Sequence, residues 1–266
     1  MDVQEERGCG PVYTNLKDSR MPLEVRLDFV KKVYGILITM LAVSFCIVAP
    51  FVFNTRAAMQ TIHAHPWIMQ LCTLLLLAHQ VVNIAMSLEQ CCGGTACTQT
   101  YFKMMKTVPY NYIFLFSYAV CFGVVLGVIS AQYTAASVGL VFVLTASIMA
   151  ALTAYAVKTK QDFTGMGMYF FAFMTGFFML GLVSMFFPGP FMHKVMACGG
   201  AVLFSFVIIY DTQLIFGTAT FHFERSAVRK IEFTIDMYAF AAYQLYLDFV
   251  NMFLYLLELF GQRDDR

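Results

Sequence analysis

Charged residues are scarce in this sequence: they make up 12% of its 266 positions, about half the share found in a soluble domain. Hydrophobic residues make up 60%, and the mean hydropathy is +0.70. So few polar side chains cannot cover a globule in water, which excludes an ordinary soluble fold. The net charge of +1 gives no overall attraction to nucleic acid, so we expect no nucleic-acid partner.

An apolar core is also missing from the first 20 residues, which are polar and carry both signs of charge. This composition does not fit a cleavable signal peptide, so we expect the first membrane span to direct insertion. We interpret residues 1–30 as a cytosolic N-terminal tail.

What the chain has in abundance is long apolar runs. A bilayer core needs about 20 apolar residues per helix, and seven stretches reach that length. They are Val33–Phe53, Trp67–Ser87, Tyr110–Ser130, Thr134–Val157, Met166–Phe187, Lys194–Gly217 and Phe233–Phe260. The segments between them are too short for a second folded domain. The sequence therefore predicts an all-α membrane protein, a seven-transmembrane helix bundle over residues 31–266, embedded in a lipid bilayer.

The placement of Lys and Arg predicts the orientation of these spans, because basic residues concentrate on the cytosolic side. If the N-terminus is cytosolic, thirteen of the 17 basic residues lie in cytosolic segments and four lie on the other side. Seven spans would then place the C-terminus outside or in a lumen. If the last segment were instead re-entrant, both ends would be cytosolic.

Two carboxylates lie at membrane depth, where each costs about 2.5–3.5 kcal/mol on insertion scales. Asp211 is deep in the sixth span and Asp248 is deep in the seventh. No Lys or Arg lies at comparable depth. His79 of the second span is the one basic candidate for a partner, although we favour its interpretation as a satisfied polar residue between helices.

Without a buried cation, two neighbouring carboxylates in a dry site would share one proton. Alternatively a cation would neutralise them, and carboxylate oxygens suit Ca²⁺. Protons and Ca²⁺ would then compete for one site, so Asp211 and Asp248 are candidate pH-sensing residues and transient calcium ligands. The simpler alternative is a protonated, hydrogen-bonded pair that only locks two helices together.

The seventh span carries one polar stripe. At about 100° per residue its polar side chains fall within about 120° of arc, and a stripe of this kind should face the bundle interior. The candidates for lining a central path are Gln244, Asn251, Asp236 and Glu258.

Several motifs, in the same order, resemble the transmembrane Bax inhibitor motif family, and within it the Lifeguard branch. The matching stretches are VRLDFVKKVYGILI (Val25–Ile38), KTKQDFT (Lys158–Thr164), IIYDTQLIFG (Ile208–Gly217), LYLDFVNMFLYLL (Leu245–Leu257), the closing LFGQRDD and the Cys91–Cys92 pair. This resemblance implies seven helices with the last surrounded by the others, in membranes of the ER or Golgi.

The same resemblance implies suppression of apoptosis and control of stored calcium through a pH-sensitive calcium leak channel. The two gating aspartates of such a channel match Asp211 and Asp248. Calcium would be the permeant ion rather than a bound cofactor, and apoptosis-regulating membrane proteins are candidate partners. Some members carry a basic residue in the second span that pairs with the first aspartate, and His79 is the corresponding candidate here.

Other functions compete with this interpretation. Tyr210–Asp211 fits the first half of an intramembrane aspartyl protease motif, but no Gly-x-Gly precedes Asp248 and no Pro-Ala-Leu follows it. A seven-span receptor is disfavoured because its third-span and seventh-span motifs are missing. A proton-coupled transporter could use the same acidic site. A non-conducting anti-apoptotic interaction protein is the main alternative. No catalytic constellation stands out, so we do not expect an enzyme.

Overall fold

A computed structural model describes residues 23–92, 103–187, 189–216 and 237–264, with the side chains of residues 23 and 82–92 left out. Asp236, the tail and the Cys91–Cys92 side chains, all discussed above, lie outside the described part. The helices are α1 (Leu23–Phe53), α2 (Thr55–Ala64), α3 (Pro66–Cys92), α4 (Tyr110–Ser130), α5 (Ala135–Lys158), α6 (Gly167–Phe186), α7 (Pro190–Phe216) and α8 (Tyr238–Phe260).

The first helix begins ten residues before the predicted span, at Leu23 instead of Val33. Its opening turns are amphipathic: Phe29 and Val30 are buried, whereas Asp28 and Lys31 are exposed and paired at 3.3 Å. The buried pair anchors these turns to the bundle, so residues 23–30 belong to the helix and not to a tail.

The second predicted span lies within α3, but a short helix that the sequence did not predict precedes it. This helix, α2, has no buried residue, and its axis is bent by 85° from that of α3. The break falls at His65–Pro66. A proline disfavours helical dihedrals in the residue before it and is well tolerated at the start of a helix, so one helix ends and the next begins there.

Six helices among the described residues are long and apolar enough to cross a membrane, and the bent α2–α3 pair would make a seventh span. Their outer surfaces are apolar: no residue of α6 is buried, and its Phe173 and Phe178 are 67% and 63% exposed. A surface of this kind needs lipid around it. The prediction of an all-α, multi-span membrane protein is confirmed.

The last helix forms the centre of the bundle. In its most apolar stretch 72% of the residues are buried, against at most 44% in any other span. Helices α1, α4, α5 and α7 pack against α8, while α3 packs on α4 and α6 on α7. The predicted central position of the last helix is therefore confirmed, with four of the other helices forming its main contacts.

Helix α8 crosses the whole bundle. At its start the Tyr238 hydroxyl accepts a hydrogen bond from Asn111, at the start of α4 (2.8 Å). Past its end, the Gln262 carbonyl accepts one from Thr134 N–H, in the link between α4 and α5 (2.9 Å). Because α8 is bonded near both ends of α4, it crosses the bundle from one side to the other, and the last segment is not re-entrant. We call the side where α1, α4, α6 and α8 begin the first face, and the other the second face.

Candidate functional site: a buried carboxyl pair

The structure brings the two predicted carboxyl groups together. Asp211 of α7 is 6% exposed and Asp248 of α8 is 4% exposed, and their side chains are hydrogen-bonded to each other. A carboxylate has no proton to donate, so this bond requires that one of the two carboxyl groups is protonated. The described arrangement is therefore a pair that shares a proton.

The meeting of these residues follows from the antiparallel packing of α7 and α8. Asp248 lies ten residues after the first residue of α8, which is about 15 Å along the helix. Asp211 lies five residues before Phe216, the last described residue of α7. Both sites are therefore in the half of the bundle nearer the first face, deep enough to be shielded from water.

A polar layer of hydroxyl groups lies at the level of the carboxyl pair. The Tyr34 hydroxyl of α1 and Thr153 Oγ1 of α5 lie 3.3 Å apart, within hydrogen-bonding distance. The same hydroxyl lies beside Thr212, the neighbour of Asp211, although Thr212 Oγ1 makes no well-directed hydrogen bond within the described residues. This layer connects α1, α5 and α7 at the level of the carboxyl pair.

Gln213 closes the same region from the first face. It is 2% exposed, and its side-chain oxygen accepts a hydrogen bond from Phe163 N–H at 2.8 Å. Its amide nitrogen donates to the carbonyls of Gln161 (2.8 Å) and Ala156 (3.4 Å). Two residues after Asp211, this one side chain thus attaches α7 to the loop that joins α5 to α6.

On the other side of the pair, the polar stripe of α8 leads to the second face. A cavity of about 320 Å³ opens there. Its lining residues are Ile129, Tyr133, His193, Asn251, Leu254, Tyr255, Leu257, Glu258 and Arg263. Three of them, Asn251, Tyr255 and Glu258, follow Asp248 at helical spacing on one side of α8.

Two predicted path residues therefore share one cavity. Asn251 donates its amide nitrogen to the Leu247 carbonyl at 2.8 Å, which leaves its side-chain oxygen available to the cavity. Glu258 lies nearest the second face and pairs with His193 of α7, with Nδ1 and Oε1 3.1 Å apart. Gln244 is half-buried one turn on the other side of Asp248.

His79 does not lie with the carboxyl pair. Its ring packs against Phe114 and Tyr118 of α4, with centroids 4.3 and 5.1 Å apart, and Nδ1 lies 2.6 Å from the Leu75 carbonyl. Helix α3 packs on the outside of α4, so its side chains are screened from α7 and α8. The structure therefore places His79 in an aromatic contact between two helices and not beside Asp211.

Sequence reasoning missed His193 and Gln213. His193 lies 65 residues before Glu258 and just ahead of the predicted sixth span. The usable signal was the antiparallel order of the last two spans, which places the start of one beside the end of the other. Gln213 lies two residues after Asp211. An amide at that depth needs hydrogen-bonding partners, but those partners lie in a loop that is distant in the sequence.

Asp211 and Asp248 do not line the cavity at the second face, and both side chains are buried, so the pair is enclosed. No group of three or more His, Cys, Asp or Glu side chains comes together within the described residues. Ca²⁺ takes six to eight oxygens, so a calcium ion at this pair would need water or backbone carbonyls as further ligands. Asp248 Oδ2 has no hydrogen-bonding partner among the described residues and could serve as one ligand.

The fold and the site together define a multi-span helical membrane protein built around a buried, proton-sharing carboxyl pair. Residues 26–265 match the family described as Inhibitor of apoptosis-promoting Bax1. The match covers nearly the whole chain, and the protein therefore belongs to this family.

Curated relatives agree with this assignment. Protein lifeguard 3 of Homo sapiens is 25% identical over 91% of this chain and 70% of its own length. Protein lifeguard 4 of Mus musculus is 28% identical over 89% and 85%. Bax inhibitor 1 of Schizosaccharomyces pombe is 25% identical over 89% and 77%. The resemblance to the Bax inhibitor motif family and its Lifeguard branch is confirmed.

Proposed function

We propose that this protein is a pH-sensitive calcium leak channel of intracellular membranes, in the ER or Golgi, that regulates stored calcium and suppresses apoptosis. The observation that carries the proposal is the hydrogen-bonded pair of Asp211 and Asp248 at the contact between α7 and α8. The family description and the names of the Bax inhibitor and lifeguard relatives support the link to apoptosis.

The pair acts as a gate because its hydrogen bond depends on its proton count. With one shared proton, the bond joins α7 to α8 and the path is closed. When that proton leaves, two charges face each other. Two unit charges 4 Å apart repel by about 4 kcal/mol at an effective dielectric constant of 20, which is comparable with several interhelical hydrogen bonds. The helices then separate or a cation takes the place of the proton.

Calcium is the cation that fits this path by its chemistry. Carboxylate and amide oxygens are its preferred ligands, and the stripe from Asp248 through Asn251 to Glu258 presents them in succession. The Gln213 contacts to the loop between α5 and α6 close the path at the first face. Ca²⁺ therefore reaches the pair from the cavity and leaves only when the α7–α8 contact opens.

The basic residues support one orientation: of the ten in the described part of the chain, seven lie toward the first face and three toward the second. The seven are Arg26, Lys31, Lys32, Lys103, Lys106, Lys158 and Lys160, and the three are Arg56, Lys194 and Arg263. The positive-inside rule makes the first-face side cytosolic. The cavity with His193 and Glu258 then opens to the lumen, where stored calcium is held. A leak in this direction lowers the calcium store, which is the route by which we connect the channel to the suppression of apoptosis.

The test is calcium efflux from liposomes that contain only this protein, measured at pH 6, 7 and 8. The comparison is the double variant Asp211→Asn/Asp248→Asn, whose two amides still form a hydrogen bond but cannot titrate. Asp28→Asn, which neutralises an exposed carboxylate (75% of the side chain), is the matched control. We expect a pH-dependent leak in the wild type and the control and a flat pH response in the double variant.

No leak above that of empty liposomes would replace this proposal with the non-conducting alternative. The enclosure of the pair, which does not line the cavity at the second face, favours that second function. In it, Asp211 and Asp248 lock two helices and the protein acts by binding other membrane proteins. The same double variant would then change thermal stability without any effect on calcium.

A further inference from the structure

Helix α2 joins two spans at the second face without being needed to cross the membrane. The first span, α1, begins at the first face and ends at Phe53, and α3 begins at Pro66. With 27 residues, α3 is about 40 Å long, which exceeds the hydrocarbon core of a bilayer, about 30 Å thick. The ten residues of α2 therefore serve another purpose than to complete a span.

The direction of α2 places it along the membrane surface. Its axis is bent by 85° from that of α3, and spanning helices are tilted from the bilayer normal by about 20° on average. A helix nearly perpendicular to a span runs nearly parallel to the bilayer plane. Helix α2 therefore lies at the level where lipid headgroups surround the ends of α1 and α3.

The side chains of α2 are divided as they are in helices that lie in a membrane interface. At about 100° per residue, Met59 and Ile62 fall on one side of the helix, and both are half-buried. Arg56, Gln60 and His63 fall together on the neighbouring side, and all three are exposed. An apolar side that is covered beside a polar side that is not covered is typical of interfacial helices.

Two exposed aromatic rings flank α2 and join it to the lipid-facing surface of the bundle. Phe53 is 78% exposed and Trp67 is 58% exposed. Trp67 lies on the same side of α3 as Leu71 and Leu74, which are also exposed and follow it at helical spacing. Tryptophan is enriched at the level of the headgroups, so the surface of α2 is continuous with the surface that lipid already covers.

The charge of this region complements that of lipid headgroups. Arg56 is exposed, and no acidic residue occurs between Asp28 and Glu89. Within the described part of the chain, Arg56 forms no ion pair. A guanidinium group binds phosphate through two parallel hydrogen bonds, and lipid phosphates are the anions found at this level of a bilayer.

We propose that residues 53–67, here called the interfacial segment, lie on the bilayer surface at the second face and bind phospholipid headgroups. In this arrangement Phe53 and Trp67 enter the boundary between headgroups and acyl chains, and the Arg56 guanidinium contacts a lipid phosphate. The segment thereby fixes the height of α1 and α3 in the membrane. This inference is independent of the proposed leak function.

The first experiment uses Trp67, the only tryptophan of the chain, in the full unmodified protein. The protein is reconstituted in phosphatidylcholine vesicles whose acyl chains carry bromine either near the headgroup or near the chain end. We expect bromine near the headgroup to quench the Trp67 fluorescence at least twice as strongly as bromine near the chain end. Stronger quenching by the deep bromine would overturn the inference.

The second experiment moves this probe into α2 with Trp67→Phe/Ala57→Trp and Trp67→Phe/Ala64→Trp. Ala57 and Ala64 are both exposed and lie on one side of α2, about 10 Å apart along its axis. We expect the same shallow depth for both probes, because α2 runs along the surface. Depths that differ by about 10 Å would make α2 part of a span. Quenching of both probes by aqueous iodide, with none by bromine, would place α2 in water. Either result overturns the inference.

The third experiment tests the phosphate contact in phosphatidylcholine vesicles that contain phosphatidylglycerol. Energy transfer from Trp67 to dansyl-labelled phosphatidylglycerol, relative to dansyl-labelled phosphatidylcholine, measures how strongly the anionic lipid is enriched around the segment. We expect Arg56→Gln to lower this enrichment at least twofold and Arg56→Lys to retain most of it. Lys194→Gln removes another exposed cation at the second face and is the matched control. An enrichment that is equal in Arg56→Gln and wild type would overturn the phosphate contact.

Discussion

The hydroxyl of Tyr246 in α8 lies 2.6 Å from Ser44 Oγ of α1, and Ser44 donates its own proton to the Ala119 carbonyl of α4 at 3.0 Å. Because a serine hydroxyl has one proton, Tyr246 must be the donor to Ser44. This chain joins three helices, and both side chains are fully enclosed. Tyr246 lies about half a turn before Asp248. These bonds therefore fix the rotation of α8 about its axis, and with it the direction in which the Asp248 carboxylate points.

The donor directions of these two hydrogen bonds predict that removing the Ser44 hydroxyl and removing the Tyr246 hydroxyl will lower the free energy of unfolding by different amounts. Ser44→Ala leaves the buried Tyr246 hydroxyl without an acceptor, which should cost about 1–3 kcal/mol of unfolding free energy. Tyr246→Phe leaves the Ser44–Ala119 bond intact and should cost about 0.5–1.5 kcal/mol. Denaturation in detergent measures both, and Ser147→Ala, at an exposed serine bonded within its own helix, is the control.

The double variant Ser44→Ala/Tyr246→Phe should be less destabilised than the sum of the single variants, because it leaves no orphaned hydroxyl. A Tyr246→Phe variant that loses more stability than Ser44→Ala would mean that the donor direction is reversed or that the chain is not formed.

The three hydrogen bonds of Gln213 predict that this residue holds the loop between α5 and α6 closed. Gln213→Leu keeps the volume of the side chain but leaves the Phe163 N–H and the Gln161 carbonyl without this partner. We expect the loop to open and trypsin to cut after Lys158 and Lys160 at least several-fold faster in detergent micelles. The measurement is the cleavage rate at native conditions.

Gln161→Leu is the control, because only the backbone carbonyl of Gln161 takes part in these bonds and its side chain is exposed. Equal cleavage rates in Gln213→Leu and wild type would show that the loop is held by other contacts. A faster rate in both variants would point to the exposed loop surface rather than to Gln213.

Much of this architecture could be predicted for two reasons. The hydrocarbon core of a bilayer sets the length of a spanning helix, and a polar side chain buried at that depth must face protein. Apolar run length located the spans, including α4 at both of its ends, Tyr110 and Ser130. Depth alone indicated that Asp211 and Asp248 must face protein. That they share one hydrogen bond could be anticipated only because no basic side chain competes for them.

What could not be predicted depended on contacts between distant segments. The first turns of α1 are too polar to count as span, yet they are helical because Phe29 and Val30 find a buried surface. His79 has a basic side chain that would suit a partner of Asp211, but α3 lies outside α4, so the His79 ring packs against aromatic rings instead. The link between His193 and Glu258 depends on how far α7 extends toward the second face.

Close packing of α7 against Tyr255 predicts that Gly200 cannot be replaced. A Cβ at Gly200 would lie 2.6 Å from the Tyr255 ring, which is itself held between Phe177 and Phe204 at centroid distances of 5.7 and 5.8 Å. Gly200→Ala should therefore cost about 1–3 kcal/mol through overpacking. Under the proposed function, the calcium leak should change as well, because Tyr255 lines the cavity.

The control is Gly139→Ala in α5, where nothing lies within 4 Å of the added Cβ. Alanine is the better helix former, so this variant should be neutral or more stable by about 0.5–1 kcal/mol. Thermal unfolding in detergent compares the two. If Gly200→Ala were as stable as Gly139→Ala, the close contact between α7 and Tyr255 would not exist in solution.

The two faces of the bundle predict which loops are reached from each side of the membrane. Gln161 lies in the loop between α5 and α6 at the first face, and Gln132 lies in the link between α4 and α5 at the second face. Both are exposed and outside the spans. We expect Gln161→Cys to react with a membrane-impermeant maleimide from the cytosolic side of sealed vesicles, and Gln132→Cys to react only after the vesicles are permeabilised.

The reverse pattern would keep the fold but invert the proposed orientation, and the His193–Glu258 cavity would then open to the cytosol instead of the lumen. Reaction of both positions from the same side would contradict the crossing of the membrane by α5, which lies between the two loops. Because both variants replace an exposed glutamine by cysteine, a difference in their labelling reports position and not side-chain chemistry. Under the proposed function, the result decides whether calcium meets the Glu258 carboxylate before or after it passes Asp248.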